Sequence, residues 1–443
     1  FTSIVEYRSR SESCMYFLYN ILASIVVIAI LPFFTVRMLV MGQIKSRFKE
    51  MLGFLPADVL QQAAGRKCIW AHAASVGEIV ATSSIIKEIS KLLPNQTFLV
   101  SVVTPTGYEM AKKIIPEAIG VIYFPVDLPW VVESVLSRIR PGLFMMVETE
   151  LWPNFLKAAK RHDVKTIMVN GRISDKSSKR YHYLFGILKD MLRNVDRFCM
   201  QSGRDAEYIT GLGADAARVS VTGNTKYDQT YAGILPAEQA TLRHLLGLEQ
   251  AAPVIVAGST HQGEEEMLLA AFQTVLEDYP RAALVIAPRH VERAGEIREL
   301  CRRAQLSAAK RSEQATETER RQVVILDTIG EVGKVYGIAD LVFVGGSLVP
   351  KGGHNILEPA AHGKPVFVGP HMFNFKEVYA LLSGRGVCLT VKNQSELGRQ
   401  MNALLKDAEA RGHVREEALK VIGENKGASG KSAQAAKQLL QME

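Results

Sequence analysis

A chain of 443 residues is too long for one ordinary hydrophobic core, so two or three domains are expected. Its 47% hydrophobic and 22% charged residues are those of a folded protein and exclude wholesale disorder. The five cysteines (Cys14, Cys68, Cys199, Cys301 and Cys388) are scattered without a CxxC pair, which argues against a disulfide framework or zinc cluster and fits a reducing compartment.

The net charge of +8 is uneven, because residues 157–204 hold twelve Lys/Arg against four Asp/Glu, the same excess as the whole chain. Such a run suits an anionic partner, phosphates or a lipid headgroup surface, or else it is a solvated helical face. No zinc finger, RNP motif or helix-turn-helix pattern accompanies it, so no nucleic acid is expected as a partner.

In chain order, residues 15–36 read MYFLYNILASIVVIAILPFFTV, 22 residues without a charge. That length is enough to cross a hydrocarbon layer of about 30 Å as a helix. Tyr16 and Tyr19 suit one interface, and Arg37, Lys45, Arg47 and Lys49 follow the other end, which places the rest of the chain in the cytoplasm by the positive-inside rule. A signal peptide fits less well: no A-x-A site follows and the basic residues come after the apolar run. A buried core helix is the remaining alternative.

Beyond the anchor, short apolar β-rich runs alternate with helical patterns. Strands are predicted at 68–73, 97–103, 121–123, 143–147, 166–170 and 197–201, then at 253–257, 283–287, 323–326, 341–344 and 365–368. Continuous apolar strands alternating with helices predict two doubly wound α/β domains with parallel sheets, the break lying in the polar stretch 225–238. Ligands in such domains bind at the carboxyl ends of the strands, and the motifs fall there.

The first motif, HAASVGE, runs from a strand into a turn, with Glu78 opening a helix. Glu78 either takes a proton from an incoming hydroxyl, held ionised by the helix N-terminus, or merely complements the helix dipole. The second, VETELWPN, places Glu148 and Glu150 beside Trp152, to bind sugar hydroxyls or orient an acceptor, although Glu150 also fits the first turn of the next helix. In NGRIS, Arg172 can hold an anionic group. The third, VIVAGST, leaves amides at Ser259 and Thr260 for phosphate, a weak signal alone because it is neither a Walker motif nor GxGxxG. In APRH, Arg289 suits a phosphate contact and His290 is either a supporting or a structural histidine.

The fifth is the most specific: FVGGS, then GGHNILEP, with Gly346 and Ser347 in a glycine-rich loop and Glu358 near a helix start, where a carboxylate can accept from both hydroxyls of a ribose. Neither Asp-x-Asp nor HExxH occurs, so no metal site is expected and phosphate neutralisation falls to Arg289, helix termini and loop amides of 346–353.

Taken in order, HAASVGE, TPTG, ETELWPN, VTGNTKYD, STHQGEE, PRHVER, FVGGSLVPKGGHNILEPA and GPHMFNF resemble the 3-deoxy-D-manno-octulosonic acid (Kdo) transferases of lipopolysaccharide assembly, over essentially the whole globular part. The resemblance implies a GT-B-type fold: a transmembrane anchor (15–36), a Rossmann-like acceptor domain (45–226) and a Rossmann-like CMP-Kdo-binding domain (237–440). It implies CMP-Kdo as donor, a lipid A precursor as acceptor, no cofactor, and a bacterial inner-membrane location with the catalytic domains cytoplasmic. It implies Glu78 as proton acceptor and CMP contacts at Pro288, Arg289, Ile329, Gly330, Glu331, Asn355, Ile356, Leu357 and Glu358. The chain departs from the family pattern at Val291 and Ile356, where prolines are usual, and at NGRIS in place of NARLS. These positions carry no charge and accept no proton, so activity is still expected.

Overall fold

The computed structural model describes residues 15–29, 45–173, 185–229, 234–313 and 321–441. The chain forms two compact units. The first runs to Gln229 and takes back Lys426–Glu443; the second is Thr230–Asn425.

Among the described residues, the first unit holds a seven-stranded sheet of order β3-β2-β1-β4-β5-β6-β7. Its strands are β1 (Ile69–Ala73), β2 (Phe98–Val102), β3 (Ala118–Tyr123), β4 (Leu143–Val147), β5 (Lys165–Gly171), β6 (Arg197–Met200) and β7 (Val219–Val221). The second unit repeats the plan in the order β10-β11-β9-β8-β12-β13-β14. Here the strands are β8 (Val254–Thr260), β9 (Ala283–Pro288), β10 (Ala308–Lys310), β11 (Val323–Ile325), β12 (Leu341–Val344), β13 (Val366–Val368) and β14 (Cys388–Thr390). Every pairing described is parallel.

Central strands such as β1 (IWAHA) and β4 (LFMMV) are buried at every position, as expected when helices cover both faces. Side chains of alternate residues serve the two layers: Trp70 packs with Phe144 and Phe155 on one face, Ile69 and Ala71 with Ile79 and Ile85 on the other. Strands pass into helices through residues that accept orphan amides. Ser75 caps Val76–Leu92, Thr104 caps Pro105–Ile114 and Ser202 caps Gly203–Gly211.

Three sequence expectations need correction. First, the C-terminal boundary at 440 is wrong: the last helix, Ala428–Gln441, lies on the first unit, burying Ala433, Ala436 and Leu439 among Ile85, Ile86 and Met145. Asp228 fastens its start by accepting from the amides of Gly427 and Ser429 at 2.6 Å each. Second, β7, β10 and β14 were not predicted; each is a three-residue edge strand, too short and too exposed to present an apolar run. Third, the described residues of the basic run do not form a single helical face. Lys165 opens β5 and Arg172 follows its far end, roughly 20 Å along the strand.

Residues 15–29 are helical. Among the described residues no helix is long and apolar enough to cross a membrane, and the rest of the expected span, 30–36, with Arg37, lies outside them. The two tyrosine hydroxyls expected at an interface are instead bonded to the first unit. Tyr16 donates to Asp190 at 2.6 Å, Tyr19 donates to Asp127 at 2.9 Å, and Asn154 Nδ2 donates to Asn20 Oδ1 at 2.7 Å. Opposite these anchors, Phe17, Leu18, Ile21, Leu22, Ile25, Val26 and Ile28 are exposed.

Candidate active site

Each sheet reverses its winding once, and the crevice for a ligand in such a sheet opens at that point beyond the carboxyl ends of the strands. In the first unit the reversal lies between β1 and β4. Glu78 follows β1, and Glu148 and Glu150 follow β4, so topology brings together three carboxylates far apart in sequence.

Glu78 is only 8% exposed. Its carboxylate accepts from the Ala74 amide at 2.7 Å, and its own amide donates to Ser75 Oγ at 3.3 Å. Burial pushes its carboxyl up to about 7; the Ala74 amide and the Ser75 hydroxyl, bonding to the carboxylate, oppose this, while Glu148 and Glu150 add to it. The expectation that the helix N-terminus keeps Glu78 ionised is therefore corrected. Desolvation outweighs the dipole, and the group is poised near half-ionisation at neutral pH, where a base is most effective.

Glu148 sits in the left-handed region (φ 58°), strain of the kind stored at functional sites. Burial raises its pKa, Lys226 and Arg172 lower it, and Glu150 raises it. Glu150 precedes the helix Pro153–Arg161 rather than lying in its first turn; its Oε2 accepts from Trp152 Nε1 at 3.1 Å and lies 3.6 Å from His72 Nε2. Thr149 Oγ1 donates to the Arg172 carbonyl, which ties this loop to the end of β5. Next to it Asn170, also left-handed at 52°, accepts from the Thr225 amide at 3.1 Å and so holds the TKY turn carrying Lys226.

Two functional neighbours were missed from sequence. His72 is fully buried on β1, its Nδ1 3.2 Å from the Ser101 carbonyl and its ring stacked on Phe124 at 3.9 Å. Lys226 sits in VTGNTKYD, which had been read only as part of a resemblance. The signal available for Lys226 was its place in a motif given no role, and for His72 its place in HAASVGE, where only Glu78 drew attention.

In the second unit the reversal lies between β8 and β12. Ser259 is left-handed (φ 57°), and Gly345 is obligatory, because a Cβ there would lie 2.4 Å from the Ser259 carbonyl oxygen. The glycine-rich loop is not open for phosphate at its first turn. Fully buried Glu264 accepts from the amides of Gly346 (2.7 Å), Ser347 (3.0 Å), Leu348 (2.9 Å) and His261 (2.9 Å). Ser347 Oγ donates to the Val344 carbonyl at 2.6 Å and Thr260 Oγ1 donates to Glu265 at 3.0 Å. The expectation of phosphate at the Gly346 and Ser347 amides is corrected: a protein carboxylate already accepts from them. Glu264 and Glu265, both in STHQGEE, were not picked out as structural from sequence.

The other expected donor contacts are distributed as follows. Pro288 is buried at the end of β9, and Arg289 and His290 are exposed just beyond it. Ile329 is 86% exposed beside Gly330 (φ 91°), and Glu331 accepts from Thr328 and pairs with Arg311 at 3.5 Å. Asn355 donates to Glu358 at 3.1 Å and accepts from the Leu357 amide, also at 3.1 Å. Burial raises the Glu358 pKa, and the Asn355 bond opposes it. Ile356 and Leu357 are fully buried, so the accessible expected contacts here are Asn355 and Glu358, both half-buried. Among the described residues no group of three or more His, Cys, Asp or Glu is arranged to hold a metal ion.

Residues 46–229 match the family model described as 3-deoxy-D-manno-octulosonic-acid transferase (kdotransferase), and residues 256–421 match glycosyl transferases group 1. The 3-deoxy-D-manno-octulosonic acid transferase of Haemophilus influenzae is 34% identical over 361 residues, 81% of this chain and 84% of that protein. The chain belongs to the Kdo transferase family. The Chlamydia pneumoniae transferase is 31% identical over 84% of each chain. A glycosyltransferase structure from Rickettsia africae matches with a TM-score of 0.55 over 86% of this chain and all of that one, at 15% identity, a likeness of fold. The two Rossmann-like units are thus those of a GT-B-like Kdo transferase, with the family's first-domain match ending where the first unit's main segment ends, at 229.

Proposed function

We propose that this Kdo transferase moves Kdo from CMP-Kdo to a sugar hydroxyl of a lipid A precursor (lipid IVA), inverting the anomeric carbon and releasing CMP. Glu78 accepts the hydroxyl proton as that oxygen attacks. The observation that carries the reading is Glu78 itself: a buried carboxyl at the first sheet's reversal point, pushed up to about 7 and flanked by Glu148 and Glu150. Those two carboxylates and Arg172 orient the acceptor, while Glu358 and the backbone around Asn355 take the nucleoside. Arg289 neutralises the phosphate of the departing CMP, which carries a single phosphate, so neither a metal nor a cofactor enters the step.

The reaction belongs at the cytoplasmic face of the bacterial inner membrane, with the apolar stretch 15–36 holding the enzyme to the bilayer. Support comes from the exposed apolar side of the helix 15–29, Phe17 (66% exposed) and its neighbours, whereas the Tyr16 and Tyr19 bonds lay that helix along the first unit and count against a span that begins at residue 15. The orientation follows from Arg37, Lys45, Arg47 and Lys49. Incubation with CMP-Kdo and lipid IVA in detergent, with products resolved by mass, tests the reading. It expects lipid heavier by whole Kdo residues with one CMP released per residue; CMP release with unchanged lipid contradicts the acceptor assignment.

A further inference from the structure

At the second sheet's reversal point two imidazoles face each other. His261 comes one residue after β8, and His354 lies in the loop after β12. Their Nε2 atoms are 2.8 Å apart, with the rings stacked at 5.1 Å and 5° between planes. Gly346 lies directly beneath them, since a Cβ there would sit 3.0 Å from His354 and 3.4 Å from His261. Glu264 holds that glycine's amide and the His261 amide from below, which fixes the platform.

The groups that face this pair are mostly cationic. Arg289 and His290 come from the end of β9, the His290 ring 6.1 Å from that of His261, and Lys351 comes from the glycine-rich loop. The carboxylates around it are committed elsewhere. Glu264 is taken by four amides, Glu265 pairs with Arg293 at 2.8 Å, and Glu292 lies 3.5 Å from His290.

A hydrogen bond between two Nε2 atoms needs one N–H and one bare nitrogen, so the closed pair cannot hold a proton on both. Desolvation, followed by His261, Arg289 and His290, pushes His354 down to about 4; His261 is lowered by desolvation, then by His290 and Lys351, with Glu265 opposing. An oxyanion placed here reverses the balance, because it offsets the surrounding positive charge and accepts a bond from a protonated ring.

We propose that His261 and His354 form a proton-coupled oxyanion subsite for the donor. Entry of the oxyanion breaks the imidazole–imidazole bond, the bare Nε2 takes one proton from solvent, and an imidazolium N–H turns to the anion. No covalent bond changes, and the proton returns to solvent when the anion leaves. The proposal rests on the second unit being the donor domain. CMP-Kdo offers two oxyanions of the required chemistry, a phosphate and a carboxylate.

The test is calorimetry on the full chain at pH 7.5, repeated in buffers of different ionisation enthalpy, with CMP, cytidine and free 3-deoxy-D-manno-octulosonate as separate ligands. Binding of CMP is expected to take up roughly 0.5–1 proton and to tighten as pH falls, by linkage. Cytidine should take up none. His261→Asn and His354→Asn, each checked for an unchanged unfolding midpoint, should abolish the uptake and weaken CMP by about 10-fold, the worth of one charge-assisted bond. Uptake with the free sugar acid and none with CMP supports the subsite and assigns it to the carboxylate. CMP binding without proton uptake, with the sugar acid equally silent, overturns the subsite but leaves the donor domain standing. Failure of CMP to bind overturns both.

Discussion

Replacing Glu264 by Gln isolates the contribution of the carboxylate inside the glycine-rich loop. Each oxygen serves two amides: Oε2 accepts from His261 and Gly346, Oε1 from Ser347 and Leu348. Glutamine keeps the shape but turns one oxygen into an NH2 donor, which must then face two N–H groups. Two charge-assisted bonds are lost in a fully buried setting, each worth about 1.5–3 kcal/mol, so the loop should lose at least ~3 kcal/mol of local stability. All three tryptophans (Trp70, Trp130, Trp152) lie in the first unit, so intrinsic fluorescence is blind to this change. Hydrogen exchange read by mass spectrometry over residues 341–353 is the suitable assay. Exchange should speed by more than ~100-fold, the factor equivalent to that energy. Rates within threefold of the parent would mean that the amides have other partners and that the loop is open to an external anion.

Two further outcomes are expected. Asp127 receives the amides of Asn154 (3.0 Å) and Phe155 (2.8 Å) at the start of the helix Pro153–Arg161 and the Tyr19 hydroxyl, so Asp127→Ala should destabilise the first unit by about 2–4 kcal/mol in fluorescence-monitored urea unfolding. A loss below ~0.5 kcal/mol would show that these bonds are not needed. Because Glu78 must be ionised to accept a proton and its carboxyl stands at about 7, kcat/KM for the acceptor at saturating CMP-Kdo should fall tenfold per pH unit below 7 and level off above it. A profile flat down to pH 5 would mean that Glu78 is not the titrating base.

The central strands were legible because burial on both faces leaves no polar residue to interrupt them, as in LFMMV of β4. The places of Glu78, Glu148 and Arg289 just after strands were legible for the same reason, since each follows a run that could only be a strand, and Glu358 was legible as the opening of the short helix Leu357–Ala361 behind the glycine-rich loop. What failed to show depends on tertiary neighbours. Nothing in ASGKSAQAAKQLLQ says that this helix packs on the first unit, and a Glu-Glu pair at a helix start looks like dipole compensation whether it meets solvent or four buried amides. The dipole argument misjudged Glu78 because its burial, and the Glu148 and Glu150 charges beside it, come from chain elements that meet it only in the fold. The tyrosines of the N-terminal helix read as interfacial because their partners Asp127 and Asp190 are more than a hundred residues away.

The central claim, that Glu78 is the base of Kdo transfer, is tested most directly by Glu78→Gln, which keeps the size of the side chain and removes its basicity. The account expects CMP binding unchanged by calorimetry and transfer to the lipid A precursor reduced by at least ~100-fold. Transfer within a few-fold of the parent, with CMP binding intact, would contradict it.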